Sequence, residues 1–158
     1  MSFRRAALII LLILIGAAAA LFTSRSHSAS VALLTVSDAY AEATSSDAMA
    51  AMSDASSALY LTIHNTGGAP DTLLTVSTDA AKSATLHQTI VSNNIAQMVA
   101  IENGLPIPAN STVMLQPGGY HIMLEGLTRT LSAGDRITVQ LAFRSGTTLT
   151  LTVPVKAF

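Results

Sequence analysis

The chain has 158 residues, half of them hydrophobic and 11% charged, with a formal net charge of −1. That length fits one domain, that hydrophobicity excludes global disorder, and that charge leaves no basic footprint for nucleic acid. There is no cysteine, so disulfide scaffolds and thiolate metal sites are excluded as well.

Residues 1–30 read as a segment apart from the fold. Arg4 and Arg5 precede the uncharged run AALIILLILIGAAAALF at 6–22, and polar TSRSHSAS follows. A basic start, an apolar stretch and small residues beyond it, with Ser28-Ala29-Ser30 at plausible cleavage positions, describe a secretory signal. The run is also near the lower length of a membrane span, so an uncleaved N-terminal anchor is the alternative. Both readings export residues 31–158, which form the second unit. That unit holds five basic and nine acidic residues and is mildly acidic.

From residue 31 the pattern is β. VALLTV (31–36) predicts a short strand, and Ala/Ser-rich 37–57 predicts a long loop or flap. Strands are then expected at 58–65, 71–78, 84–91, 95–101, 111–116, 120–127, 136–143 and 147–155, where Thr and Val alternate with Leu and Ile. Turn chemistry separates them, as at Asn93-Asn94, Pro117-Gly118-Gly119 and Ser145-Gly146. Many short strands without a helical period imply an all-β sandwich or barrel.

Within PGGYHIMLEG (117–126), His121 and Met123 lie two apart and share a strand face. Tyr120, Ile122 and Leu124 take the other face and are expected to point into the core. His121 and Met123 are thereby expected on an outer or rim face, open to solvent. His87 and Met98 lie on the two strands that flank VSNN. A hairpin turning at Ser92-Asn93 places His87 opposite Met98. One turning at Asn93-Asn94 places it opposite Ala100, with Met98 as diagonal neighbour on the same face. A three-residue loop would put them on opposite faces.

Two His/Met pairs suggest a four-ligand site of His87, Met98, His121 and Met123. Thioethers are soft ligands that favour Cu(I), whereas zinc prefers Cys, His or carboxylate. Other candidates are weaker. His64 reads as a structural histidine, and His27 lies in the leader. Met49 and Met52 read as ordinary loop residues or a low-affinity entry contact for copper. Met114 reads as core or edge packing, and Asp38, Glu125 and Asp135 as solvated charges. No catalytic triad order, paired carboxylates, P-loop or dinucleotide fingerprint is present, so no enzyme is expected. A metalloenzyme would need an open position beside a general base.

The chain resembles the periplasmic copper chaperones called PCu(A)C. Their signature, H(M)x10Mx21HxM, reads here as His87, ten residues, Met98, twenty-two residues, then His121-Ile122-Met123. SDAYAEAT, ALYLTIHNTG, ATLHQT, LQPGGYHIMLEGL and LTVPV extend the likeness over residues 34–155. The resemblance implies a cupredoxin-like Greek-key β-sandwich that holds Cu(I) through these four residues in the periplasm. It also implies delivery to the binuclear copper site of cytochrome c oxidase, or to another periplasmic copper protein. Membrane contact is expected only through the N-terminal anchor, and a monomer is expected. Gln88 stands where the family has an optional Met, the second spacer is one residue longer, and Tyr40 and Glu42 replace the usual Trp and Arg. The alternative from another class is an envelope β-sandwich that binds protein and no metal.

Overall fold

A computed structural model of the chain describes residues 33–44 and 55–157. Residues 1–30, expected as a signal or anchor, and with them His27, lie outside the described residues, as do Met49 and Met52. Ten strands make up the described residues: β1 (Leu34–Glu42), β2 (Ser56–Asn65), β3 (Asp71–Thr78), β4 (Ala81–Ser92), β5 (Ile95–Ala100), β6 (Leu105–Ile107), β7 (Ser111–Leu115), β8 (Tyr120–Leu127), β9 (Arg136–Phe143) and β10 (Thr148–Lys156). Their order is β5-β4-β8-β7-β2-β1-β10-β9-β3-β6, with an additional β8–β2 pairing. Pairing is antiparallel except where β1 runs beside β10 and β7 meets β8.

The ladder folds over on itself, and alternation builds one core from both halves. Leu59, Leu61 and Ile63 of β2 and Ile122 and Leu124 of β8 face inward, against Leu73 of β3, Val139 and Leu141 of β9 and Val153 of β10, all buried. Removing this apolar surface from water is the main favourable term, about 25 cal/mol per Å2. The result is an all-β Greek-key sandwich.

Two sequence expectations are corrected here. β1 continues through Glu42, where a loop from residue 37 was predicted, and Tyr40 pairs with Tyr60. A bulge hides this strand: Asp38 has φ 53 and the register shifts between Ser37 and Tyr40. The extra residue breaks the two-residue alternation on which strand reading depends. The remainder of the expected flap, 45–54, lies outside the described residues. The short β6 was also unforeseen. It is three residues with Pro106 at its centre, paired to β3 at the sheet edge, a place where proline is tolerated. Gly104 enters it at φ +80, and a Cβ there would stand 2.6 Å from the Leu73 carbonyl oxygen, so no larger residue fits.

Candidate metal centre

The β4–β5 hairpin turns at Asn93-Asn94. Both residues have positive φ (50 and 61), as a two-residue type I′ turn requires and asparagine tolerates. The register is His87 opposite Ala100 and Thr89 opposite Met98, the second of the two hairpins that the sequence left open. On its other side β4 pairs with β8, with His87 directly opposite His121 and Thr85 opposite Met123. Opposed residues share a face, as do residues two apart. His87, Met98, His121 and Met123 therefore all stand on one face of the β5-β4-β8 ribbon.

A tight turn sets the position of His121. Gly119 N–H donates to the Gln116 carbonyl at 3.0 Å, and Gly118 has φ 76, which makes Gln116-Pro117-Gly118-Gly119 a type II turn with Pro and Gly at its two centres. The Gly119 carbonyl then accepts from Thr89 N–H at 3.0 Å and from His121 Nδ1 at 3.2 Å. A carbonyl can only accept, so His121 Nδ1 carries the proton and Nε2 the lone pair. A hydrogen bond that fixes the other ring nitrogen is what orients a metal-ligating histidine.

The His87 and His121 rings meet edge to face, with centroids 5.7 Å apart. His87 Nδ1 is buried and has no hydrogen-bond partner among the described residues. An unpaired buried polar atom costs about 1–3 kcal/mol, and functional sites are where such costs are retained. Met98, His121 and Met123 line a cleft of about 260 Å3 together with Glu42, Ser57, Ala58, Tyr60 and Thr89. His87 is not part of that lining and stands against the His121 ring.

The expected solvent-facing rim is only partly present. Ile122 and Leu124 enter the core, and His121 and Met123 take the opposite face, as alternation predicts. His121 is nevertheless only 5% exposed, whereas Met98 is 65% exposed. The sheet's outer face is itself partly covered near β2, where the Tyr60 ring lies 6.5 Å from that of His121. The site is thus sealed at His121 and open at Met98.

Tyr60 and Glu42 were not singled out from sequence as parts of the site. Tyr60 Oη donates to Glu42 Oε1 at 3.2 Å, and its ring tilts against that of Tyr40, with centroids 5.2 Å apart. Burial, with the adjoining Glu42 carboxylate, pushes the Tyr60 phenol up to about 12. The one legible signal was the Ala58/Tyr60 alternation in ALYLT. Its approach to β8 is a non-local pairing that no local pattern encodes.

The remaining candidates lie elsewhere. His64 accepts or donates at both ring nitrogens, to Ser37 Oγ at 2.9 Å and Thr112 Oγ1 at 3.1 Å. Met114 is exposed on β7. Asp135 pairs with Arg129 at 3.1 Å on the surface, and Glu125 accepts from Ser83 and Thr85. Among the described residues no three of His, Cys, Asp and Glu gather as a metal site; the His87–His121 pair is accompanied on its face by the thioethers of Met98 and Met123.

Comparison with known proteins agrees with this architecture. The profile of the family described as "Putative lipoprotein LpqE-like" matches residues 34–155. A "Putative lipoprotein" of Leifsonia xyli subsp. xyli is 40% identical over 123 residues, covering 78% of this chain and 69% of its own. An "Uncharacterized protein" of Rickettsia prowazekii is 32% identical over 99 residues, 63% of this chain and 55% of that protein. The solution structure of Cu(I)-loaded DR1885 from Deinococcus radiodurans superposes with TM-score 0.58 at 32% identity, covering 79% of this chain and 80% of that one. The copper-bound PCuAC domain of PmoF2 gives TM-score 0.62 at 19% identity, over 79% and 93%. The fold is cupredoxin-like.

Proposed function

From the premise that this chain belongs to the LpqE-like family, we propose that it is an exported Cu(I)-binding metallochaperone whose cargo is held by His87, Met98, His121 and Met123. One observation carries the reading. Two imidazoles and two thioethers share one strand face, and the buried Nδ1 of His87 has no hydrogen-bond partner among the described residues. A thiolate-free set of this kind suits soft Cu(I). The Cu(I)-loaded relative from Deinococcus radiodurans supports the same cargo. The four residues bind the ion and release it.

The gradient of exposure across the site suggests how copper moves. His121 is oriented from behind by the Gly119 carbonyl and screened by Tyr60, so it acts as the fixed anchor. Met98 sits on the outermost strand, most of it in water, and is the donor that an acceptor's ligand displaces first. Stepwise exchange from that side lets a tightly held ion leave without opening the fold. The acceptor is the soluble copper domain of an oxidase subunit or another periplasmic copper protein. The lipoprotein name of the Leifsonia xyli relative and of the family supports an envelope location. Residues 6–22 serve either as a cleaved export signal or as an N-terminal anchor.

The test is a competition assay. The purified protein, titrated with Cu(I) against a chromophoric chelator, is expected to hold one equivalent, and the loaded protein to give it up to an apo oxidase copper domain. Failure to hold one equivalent favours the metal-free envelope domain. Retention without transfer removes the oxidase as acceptor and leaves the binding reading intact.

A further inference from the structure

β5 ends the strand order and pairs only with β4 among the described residues. All six of its residues are exposed. Proteins normally blunt such edges with charge, proline or a bulge. Here residues 88–101 contain no charge and no proline, and the β4–β5 register runs unbroken from His87–Ala100 to Ser92–Ile95. Among the described residues nothing pairs with its outer side, and a regular, neutral edge of this kind calls for a partner strand.

The hydrogen-bond phase shows what the edge offers. Thr89 N–H points toward β8, to the Gly119 carbonyl, while Ile101 N–H reaches the Leu86 carbonyl at 2.8 Å across the β4–β5 pair. In an antiparallel ladder one residue's N–H and C=O point the same way, and neighbours alternate. Ile95, Gln97 and Val99 therefore turn toward β4. Ala96, Met98 and Ala100 turn outward and present three N–H and three C=O groups along the open side.

This edge is complementary to itself. An antiparallel pairing centred on Met98 sets Met98 opposite Met98, Ala96 opposite Ala100, Gln97 opposite Val99 and Ile95 opposite Ile101. No pair carries like charges, and the alanines leave room for close approach. Ile90, which pairs with Gln97, is the diagonal neighbour of Ile95 and Val99 on one face. These three are 46%, 62% and 46% exposed. A second copy brings its own three residues alongside them and removes both sets from water. Two-fold pairing of identical patches is the usual geometry of a homodimer.

We infer that a second copy of this chain joins edge to edge at β5, extending the sheet across a two-fold axis at Met98. A contact of one short strand lies at the small end of specific interfaces, so the dimer forms reversibly and at high local concentration. It replaces the expected monomer under those conditions. Both Met98 side chains then stand together on the face that carries His87, with the two His87 strands three strand spacings apart, roughly 14 Å laterally. The pairing uses backbone groups and apolar side chains and does not depend on copper.

The absence of cysteine permits a direct test in the full-length chain. Gln97→Cys and Val99→Cys chains are prepared separately, mixed and oxidised with diamide. Positions 97 and 99 of different copies form a non-hydrogen-bonded pair, about 4.5 Å between Cα atoms, within disulfide reach. The mixture is expected to yield at least about tenfold more covalent dimer than either chain alone, whose equivalent positions are diagonal, roughly 7–8 Å apart. Adding Ala96→Pro to both chains removes an outward N–H at no cost to the β4 ladder and abolishes the product. Ile95→Lys does the same by charge if the proline disturbs the strand. Equal yields from mixed and single chains overturn the inference, as does a yield unaffected by both blocking substitutions. So do disulfides formed only with other proteins. Cu(I) stoichiometry of the Ala96→Pro chain, read separately, reports on the copper reading alone.

Discussion

His64 and His87 lie on β2 and β4 of the same sandwich and differ in one respect. Both nitrogens of His64 are occupied, by Ser37 Oγ and Thr112 Oγ1. His87 has a buried nitrogen with no hydrogen-bond partner among the described residues and the ring of another histidine against it. The first environment completes the hydrogen bonding of an imidazole and leaves no lone pair for a ligand. The second leaves the imidazole incomplete unless something from outside arrives. Satisfaction of the polar atoms, more than residue type or proximity, separates a structural histidine from a candidate ligand.

The largest test of that difference is removal of the incomplete histidine. His87→Ala is expected to lower Cu(I) affinity by at least about 100-fold, near 2.7 kcal/mol at 1.36 kcal/mol per decade, in chelator competition. Its thermal midpoint should hold or rise, because the variant also deletes the unpaired buried nitrogen. Loss of affinity accompanied by unfolding would remove the contrast with His64. Met123→Leu comes next. Volume is nearly conserved, so stability should change by less than about 1.5 kcal/mol, while Cu(I) affinity falls by about tenfold or more as one soft donor is lost. Unchanged affinity would take Met123 out of the site.

How much of this was legible in the sequence depends on the range of each interaction. The faces of His121 and Met123 followed from alternation, and a tight hairpin within VSNN from its asparagines, because both are local rules. The choice between two hairpin registers was not legible, since Ser92-Asn93 and Asn93-Asn94 both make acceptable turns. Backbone geometry selects the latter, with both asparagines at positive φ. The burial of His121 was hidden for a different reason. It is produced by Tyr60, sixty-one residues away in sequence and two strands distant in the sheet order through β7, although β2 also contacts β8 directly. The second half of β1 is hidden in the sequence because one bulged residue at Asp38 reverses the parity of the pattern beyond it.

A smaller effect is expected at Tyr60, which screens the closed end of the site. Its phenol ionises near 10.0 when unfolded and near 12 in the fold. The folded state thus holds this proton more tightly. The resulting stability is fully present below about pH 10 and is lost as pH rises from there to about 12. Tyr60→Phe should erase that alkaline phase in chemical denaturation series. At neutral pH it should cost about 1 kcal/mol, the usual net worth of one hydrogen bond. Copper affinity should change little, because the ring that covers His121 is kept. A large loss of affinity would show that the hydroxyl, and not the ring, matters to the site.

The smallest expected effect on copper returns to His64. His64→Gln retains a side chain that can both donate and accept, so one of the bonds to Ser37 and Thr112 can persist. The cost in stability should be about 1 kcal/mol. His64 lies on the far side of β7 from β8 in the strand order, and its neighbours Asn65, Thr66, Asn110, Ser111 and Thr112 line a separate shallow groove. Cu(I) affinity should therefore remain within about twofold of the parent, less than 0.5 kcal/mol at 1.36 kcal/mol per decade. A substantial loss in this variant, with the fold intact by circular dichroism, would mean that a fully hydrogen-bonded histidine also serves the metal. The distinction drawn from the unpaired His87 nitrogen would then fail, and the four-residue site would have to be redrawn.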